Sequence, residues 1–300
     1  MKRTTHFVSI LSFCAVASFA WTQQLPIYSQ FYWNDYVINP ATTGMNEKPV
    51  IQAGVRNQWT GFQGAPATYT LGGHGLLPKQ NMGLGGMIFI DDTGGAISQT
   101  GIMLNYSYRL KLNESNHLSF GLSGSLNQYI YDGSDIQVQQ ADAALSTNAK
   151  QLSPDINFGL LYMFDNRVRV GLSMNQLLES RLKNLNNYDP LNIADNRLVR
   201  HYHLTASYKA MVSEKIDIEP YTLVRATFIN PIQFELGARG VFSDKYFAGL
   251  GYRYQDAFMI QLGMNVKQFA FGYSYDITTS KLRNYSSGTH ELMLGFRFMK

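Results

Sequence analysis

The chain has 300 residues, of which 15% are charged, 13% aromatic and 45% hydrophobic, with a formal net charge of +4. Charge this sparse, against roughly 25% in soluble proteins, combined with a mean hydropathy of only -0.17, excludes a helical membrane protein. It leaves two all-β classes, a soluble sandwich and an outer-membrane barrel. A near-neutral balance also excludes a basic surface, so no nucleic acid is expected as a partner.

Met1 to Ala20 reads as a secretory signal: Lys2 and Arg3 precede an apolar run from Phe7 to Phe19, and Ser18-Phe19-Ala20 offers a cleavage site before Trp21. The run is too short to span a bilayer. The single cysteine, Cys14, lies inside it, and Phe13 before it is too large for a lipoprotein site. The processed chain would therefore have no disulfide, no thiolate metal site and no cysteine nucleophile. Its formal charge would fall from +4 to about +2 as Lys2 and Arg3 leave.

Residues 21–47 do not alternate. Tyr28-Ser29-Gln30-Phe31-Tyr32-Trp33-Asn34 suits a short amphipathic helix, and Asn39-Pro40 should end it, because the residue before proline avoids the α region. A loose leader is the bland alternative. The density of aromatics favours a plug-like segment packed in or under a barrel.

From residue 48 to 299 alternation hardly stops. Strands are expected at roughly 49–59, 67–77, 82–92, 96–112, 117–131, 155–165, 168–178, 197–212, 216–228, 232–242, 246–256, 258–266, 269–279 and 288–299, about fourteen in all. Phe269, Phe271, Tyr273, Tyr275 and Ile277 set the tone, with Ala270, Gly272, Ser274, Asp276 and Thr278 between them. With the N-terminus periplasmic, every second connection is short. The long ones, 132–154, 180–196 and 280–287, all fall on the other side. A sandwich has no reason to sort its loops so; an outer-membrane barrel does.

Charge parity agrees. Asp217, Glu219 and Arg225 oppose Ile216, Ile218 and Val224, while Glu235 and Arg239 oppose Phe234 and Leu236. Arg253, Asp276, Glu291 and Arg297 all point with the small residues and could pair across one lumen. Arg56, in parity with Gln52 and Gln58 and opposite Val55 and Trp59, also faces inward and should find a carboxylate or the N-terminal segment. Only Arg200 and His290 break the rule, both near outer strand ends. The fold expected is an all-β, transmembrane, antiparallel outer-membrane barrel.

Catalytic signals are weak. Gly171-Leu172-Ser173 lacks the rest of a nucleophile elbow. Gly72-Gly73-His74-Gly75 and Gly83-Leu84-Gly85-Gly86 sit inside alternating runs, where glycine marks close approach or a kink. His201 and His203 share a face, without further ligands for a metal. A rim pairing of Asp132 or Asp135 with a histidine remains the only enzymatic alternative. No enzyme and no cofactor is the reading.

Three stretches carry a resemblance: Tyr28-Ser29-Gln30-Phe31 with Asn34, Asn39-Pro40-Ala41 with Gly44, and Arg56-Asn57-Gln58-Trp59. In residue types and spacing they resemble the PorP/SprF family of type IX secretion system outer-membrane proteins. Tyr28 stands where phenylalanine is usual, and Leu25-Pro26 where an acidic residue precedes proline. The rest of the chain matches only as an alternating barrel. The resemblance implies work with secretion machinery in the periplasm and outer membrane. It implies secretion and surface attachment of large proteins with a C-terminal sorting domain, such as gliding adhesins. It fits an integral outer-membrane location amid outer-membrane lipid, with the N-terminal segment on the periplasmic side. The rival reading is a diffusion channel or a transporter of apolar small molecules.

Overall fold

A computed structural model describes residues 25–45, 48–61, 64–77, 81–94, 97–133, 148–182 and 197–298. Residues 1–24, which include the expected secretory signal, most of the two longest connections and the last two residues lie outside the described residues. The strands are β1 (Val50–Asn57), β2 (Ala67–Leu76), β3 (Met82–Asp92), β4 (Ile97–Lys111), β5 (Asn116–Asp132), β6 (Asn148–Phe164), β7 (Val168–Asn175), β8 (His201–Tyr208), β9 (Ala210–Ser213), β10 (Ile216–Ala226), β11 (Gln233–Phe242), β12 (Tyr246–Arg253), β13 (Ala257–Val266), β14 (Phe269–Thr278) and β15 (Thr289–Arg297). Every pairing is antiparallel between neighbours. The ring closes where β1 meets β15, from Val50↔Arg297 to Asn57↔His290. β8 and β9 form one stave against β10, interrupted at Lys209. The result is a closed 14-strand antiparallel barrel.

The stave breaks where β10 carries Pro220, between the pairs Ile218↔Ala210 and Tyr221↔Ser207. Proline has no N–H to give a ladder, so it sits where one neighbour is interrupted. Elsewhere the period-2 pattern builds an inverted protein. Leu250, Leu262, Phe271 and Leu292 are exposed on the outer wall, while Gln261, Ser274, Asp276 and Glu291 are buried inside. Such a wall is stable only against lipid, since exposed apolar surface this continuous costs free energy in water. Among the charged residues, His290 faces outward near the outer end of β15, where its Nδ1 lies 2.7 Å from the hydroxyl of Tyr273.

Two sequence expectations need correction. β6 begins at Asn148, not near 155, and runs in register with β5 to Asp132↔Asn148. Asn148 to Leu152 thus belong to a projecting hairpin rather than to a loop. The polar run ending in Ser153-Pro154 hid it, yet Pro154 is tolerated because β6 has there outrun β7, whose ladder stops at Phe158↔Met174. The helix expected near residues 28–34 is also displaced. Those residues form turns, and the helix, α1, spans only Asp35–Ile38 before a 3-10 turn at Pro40–Thr42. Bonds from the wall to the Ser29 and Gln30 backbone hold that stretch out of a helix.

A closed ladder with no free edge resists detergent. The protein should fractionate with outer membranes and migrate faster unheated than boiled on a denaturing gel. Recovery from the soluble periplasm would contradict the barrel.

Candidate functional site

The inward side chains near the outer ends of β10 to β15 and β1 form an ionic array. Arg56 on β1 binds Asp276 on β14 through Nη2 at 3.0 Å and Glu291 on β15 through Nη1 at 2.9 Å. Arg253 on β12 binds Glu235 on β11 at 3.0 Å and Asp256 at 3.0 Å. Arg225 on β10 lies 3.6 Å from Glu235. Arg56, Arg253, Glu235, Asp276 and Glu291 are all 3% exposed or less. Charges so removed from water persist only when paired and hydrogen-bonded.

Ser29 completes the array. Its hydroxyl donates to Asp276 Oδ2 at 2.6 Å and accepts from Arg56 Nη1 at 2.8 Å and Arg253 Nη2 at 3.1 Å. Its backbone N–H and that of Gln30 donate to the two oxygens of Glu291, at 2.8 and 2.9 Å. Its carbonyl accepts from Gln261 Nε2 at 2.7 Å. Every polar atom of Ser29 is therefore held by the barrel wall. Tyr28 and Phe31 pack beside it with Ile38, Tyr221 and Leu223.

From there the chain descends through the lumen. The carbonyls of Tyr36 and Ile38 accept from Asn105 and Ser173, and Asp35 pairs with Arg169 at 2.7 Å. Asn39 caps the turn by accepting from the Ala41 N–H, while its Nδ2 donates to Leu160 O at 2.9 Å on β6. Thr43 and Gly44 carbonyls accept from Ser107 and Arg109, and the Gly44 N–H donates to His74 Nδ1 at 2.9 Å. Gly44 needs its φ of +73° and its closeness to the Gly75 carbonyl.

Glycines on the wall make room for this path. A Cβ on Gly121 would meet Ala41 and Pro40; on Gly159, the Asn39 side chain; on Gly83, the Thr43 carbonyl. These are notches for the segment rather than generic kinks. The motif residues Tyr28, Ser29, Gln30, Phe31, Asn34, Asn39, Pro40, Ala41, Gly44 and Arg56 thus come together inside the barrel, and all of them are buried. Gln58 and Trp59 do not join them. They follow β1 in the outer turn, where the Trp59 N–H donates to Thr289 Oγ1 and Trp59 has φ +49°.

The segment runs the length of the lumen: Gly44 lies at the end where the short turns are, and the anchor at Ser29 lies at the end from which the long connections leave, because that is where the carboxylates are. Sequence parity pointed Asp276, Glu291, Arg253 and Arg56 inward. Neither the partner they share, Ser29, nor the group that each glycine notch receives had a local signal.

Removing one partner of a buried ion pair costs about 3–5 kcal/mol. Arg56→Ala should therefore loosen the segment and expose residues 25–45 to protease in detergent, while Gln58→Ala, outside the array, should leave protection unchanged. Gly121→Val should act like Arg56→Ala from the opposite wall. Unchanged protection in both would show that other contacts hold the segment.

Comparison with known proteins adds the family. A search of curated proteins by sequence gave no match. Among solved structures, the chain is similar to a FadL homologue of Pseudomonas aeruginosa at 12% identity and TM-score 0.51, covering 87% of this chain and 93% of that one. It is similar to the toluene transporter TbuX of Ralstonia pickettii at 9% identity and TM-score 0.51, covering 88% and 93%. Omp33 of Acinetobacter baumannii matches at 9% identity and TM-score 0.51, covering 85% and 100%. At such identities the likeness concerns the barrel fold alone. The model of the type IX secretion system membrane protein PorP/SprF matches residues 20–296. With its lumen motifs and barrel built on nearly that whole span, the chain belongs to the PorP/SprF family of type IX secretion system membrane proteins.

Proposed function

We propose that this barrel acts as a plugged docking component of type IX secretion. On this reading it supports the secretion and cell-surface attachment of large proteins bearing a C-terminal sorting domain, such as gliding adhesins. It works with the machinery of the periplasm and outer membrane, and it passes no solute of its own.

The observation that carries this reading is the anchored segment. A diffusion channel needs an open polar pore. Here residues 28–44 are bonded to β1, β2, β4, β6, β7 and β13 to β15, from one end of the lumen to the other. What space remains is divided. A cavity of about 230 Å³ lies toward the outer side and one of about 210 Å³ toward the periplasmic side. The two longest connections, after β5 and after β7, leave from the outer end. Joining adjacent strands takes only two to five residues, so their extra length is the natural surface for cargo.

The rival transport reading has one observation in its favour. Met87, Phe89 and Met103 give the outer cavity an apolar wall, and the FadL-type neighbours include proteins described as a toluene transporter and a monoaromatic hydrocarbon channel. The locked segment speaks against passage through it.

Shortening residues 134–147 and 183–196 to tight turns should leave a heat-modifiable barrel yet abolish antibody labelling of surface adhesin on intact cells. Intact protein in planar bilayers should show no large stable conductance. Normal adhesin display without both connections would refute the docking surface, and a large conductance would favour the channel.

A further inference from the structure

Charge is distributed differently at the two ends of the lumen. Around Ser29, the arginines Arg56, Arg225 and Arg253 meet four carboxylates, those of Glu235, Asp256, Asp276 and Glu291. At the end of the short turns the balance reverses. There Arg169 pairs with Asp35 at 2.7 Å, and Arg239 holds Glu219 through Nε at 3.1 Å. Arg109 donates to the Gly44 carbonyl at 3.1 Å and has no carboxylate among the described residues. The Arg297 side chain is exposed and makes no bond to a described residue. Four arginines thus share two carboxylates. Lys111, Arg167 and Lys209 do not alter the balance, because Glu114, Asp165 and Asp217 match them one to one.

Three of these arginines, Arg169, Arg239 and Arg297, line one cavity of about 210 Å³. Unlike the sealed array around Ser29, they keep accessible surface: the side chain of Arg169 is 33% exposed and that of Arg239 18%. Arg169 uses one N–H on Asp35, and Arg239 uses Nε and Nη2 on a single oxygen of Glu219. A guanidinium has five N–H donors, so most of them remain available. Tyr32 and Trp33 add an aromatic wall, with Arg239 lying 5.0 Å over the Tyr32 ring and Trp33 6.0 Å from Phe247.

We infer that this mouth receives a carboxylate-rich segment of a periplasmic protein. The inference deepens the docking reading above and rests on it for the side of the membrane that the short turns face. A guanidinium fork matches a carboxylate with two parallel hydrogen bonds, and a cluster with surplus positive charge gains most from a partner that brings several. Tyr32 and Asp35 belong to the anchored segment and close the cavity on its inner side. An occupant therefore enters and leaves by the same mouth, as a docked side chain does and a transported solute does not.

Other occupants fit less well. A lipid headgroup does not reach the arginines, which share the inner face with Gln52 and Gly295 while Phe269 and Phe271 face the lipid. An apolar molecule would strip water from guanidinium groups and give nothing back. A lone phosphate satisfies the charge but leaves the aromatic wall uncovered, whereas the methylene stems of glutamate side chains cover it.

The test is calorimetric titration of the full purified barrel, in a zwitterionic detergent at low salt, with the blocked peptide acetyl-Gly-Glu-Glu-Glu-Gly-amide. Binding should saturate, weaken as salt rises and be absent with the glutamine counterpart of the peptide. Arg297→Glu should weaken it about tenfold or more, because it sets like charges together. This side chain makes no bond to lose, so the variant should fold and stay heat-modifiable. Arg297→Lys should keep most of the binding, and Lys267→Glu, a reversal in a nearby short turn outside the cavity, should leave it unchanged. The inference is overturned by no saturable binding, by equal binding of the glutamine peptide, by indifference to Arg297→Glu, or by an equal loss in Lys267→Glu. It is overturned too if inorganic phosphate or succinate binds as tightly as the peptide, which would make the cavity a small-anion site. The side of the membrane is tested separately with Arg297→Cys, since the processed chain would hold no other cysteine. A membrane-impermeant maleimide should label it only after the outer membrane is permeabilised. Labelling on intact cells would overturn the periplasmic partner and the orientation in the docking reading, even if the peptide binds. Failed peptide binding with labelling only after permeabilisation would overturn this inference and leave the docking reading standing.

Discussion

Glu291 grips two successive backbone N–H groups, those of Ser29 and Gln30, while Arg56 grips Glu291. The barrel interior depends on this arrangement. The lumen wall of β10 to β15 and β1 carries more buried charge than its strands could satisfy alone, because guanidinium and carboxylate groups each ask for several partners. The N-terminal segment provides them. Ser29 joins two arginines and one aspartate through a single hydroxyl, so the segment and the wall are one hydrogen-bonded unit. Removing either side leaves charges buried without partners, which is the costly case.

The opposite wall solves a different problem by a different means. On β5 and β6 the segment touches backbone, with Asn39 reaching the Leu160 carbonyl and Ala41 seated against Gly121. Here fit comes from absent side chains rather than from charge. One half of the barrel thus holds the segment by ions and the other by notches. The remaining volume is confined to small spaces above and below. A plugged interior with long outer connections suits a component that holds other proteins better than one that passes solutes.

Much of this was legible in the sequence, for physical reasons. Lipid on one side and a polar lumen on the other impose strict alternation, so Phe269 to Thr278 and Tyr246 to Arg253 can be read residue by residue. Parity alone directed Arg56, Arg253, Asp276 and Glu291 to one compartment. The start of β6 was hidden, because above the bilayer no apolar face is required, and Asn148 to Ser153 continue the ladder with β5 without an apolar period. The path of residues 28–45 was hidden too. It is fixed by partners more than 200 residues away, such as Glu291 and Asp276, and such contacts leave no periodicity. Glycine suggested close approach at Gly83, but not that the approaching group is Thr43.

The central claim, that the N-terminal segment is locked to the barrel wall, is tested most directly by amide hydrogen exchange on the folded protein in lipid nanodiscs. The Ser29 and Gln30 N–H groups, bound to the Glu291 carboxylate, should exchange as slowly as amides in β14 and β15, and Glu291→Gln should speed both. Exchange of these two amides at the rate of an unstructured peptide, in a barrel whose strands stay protected, would contradict the account.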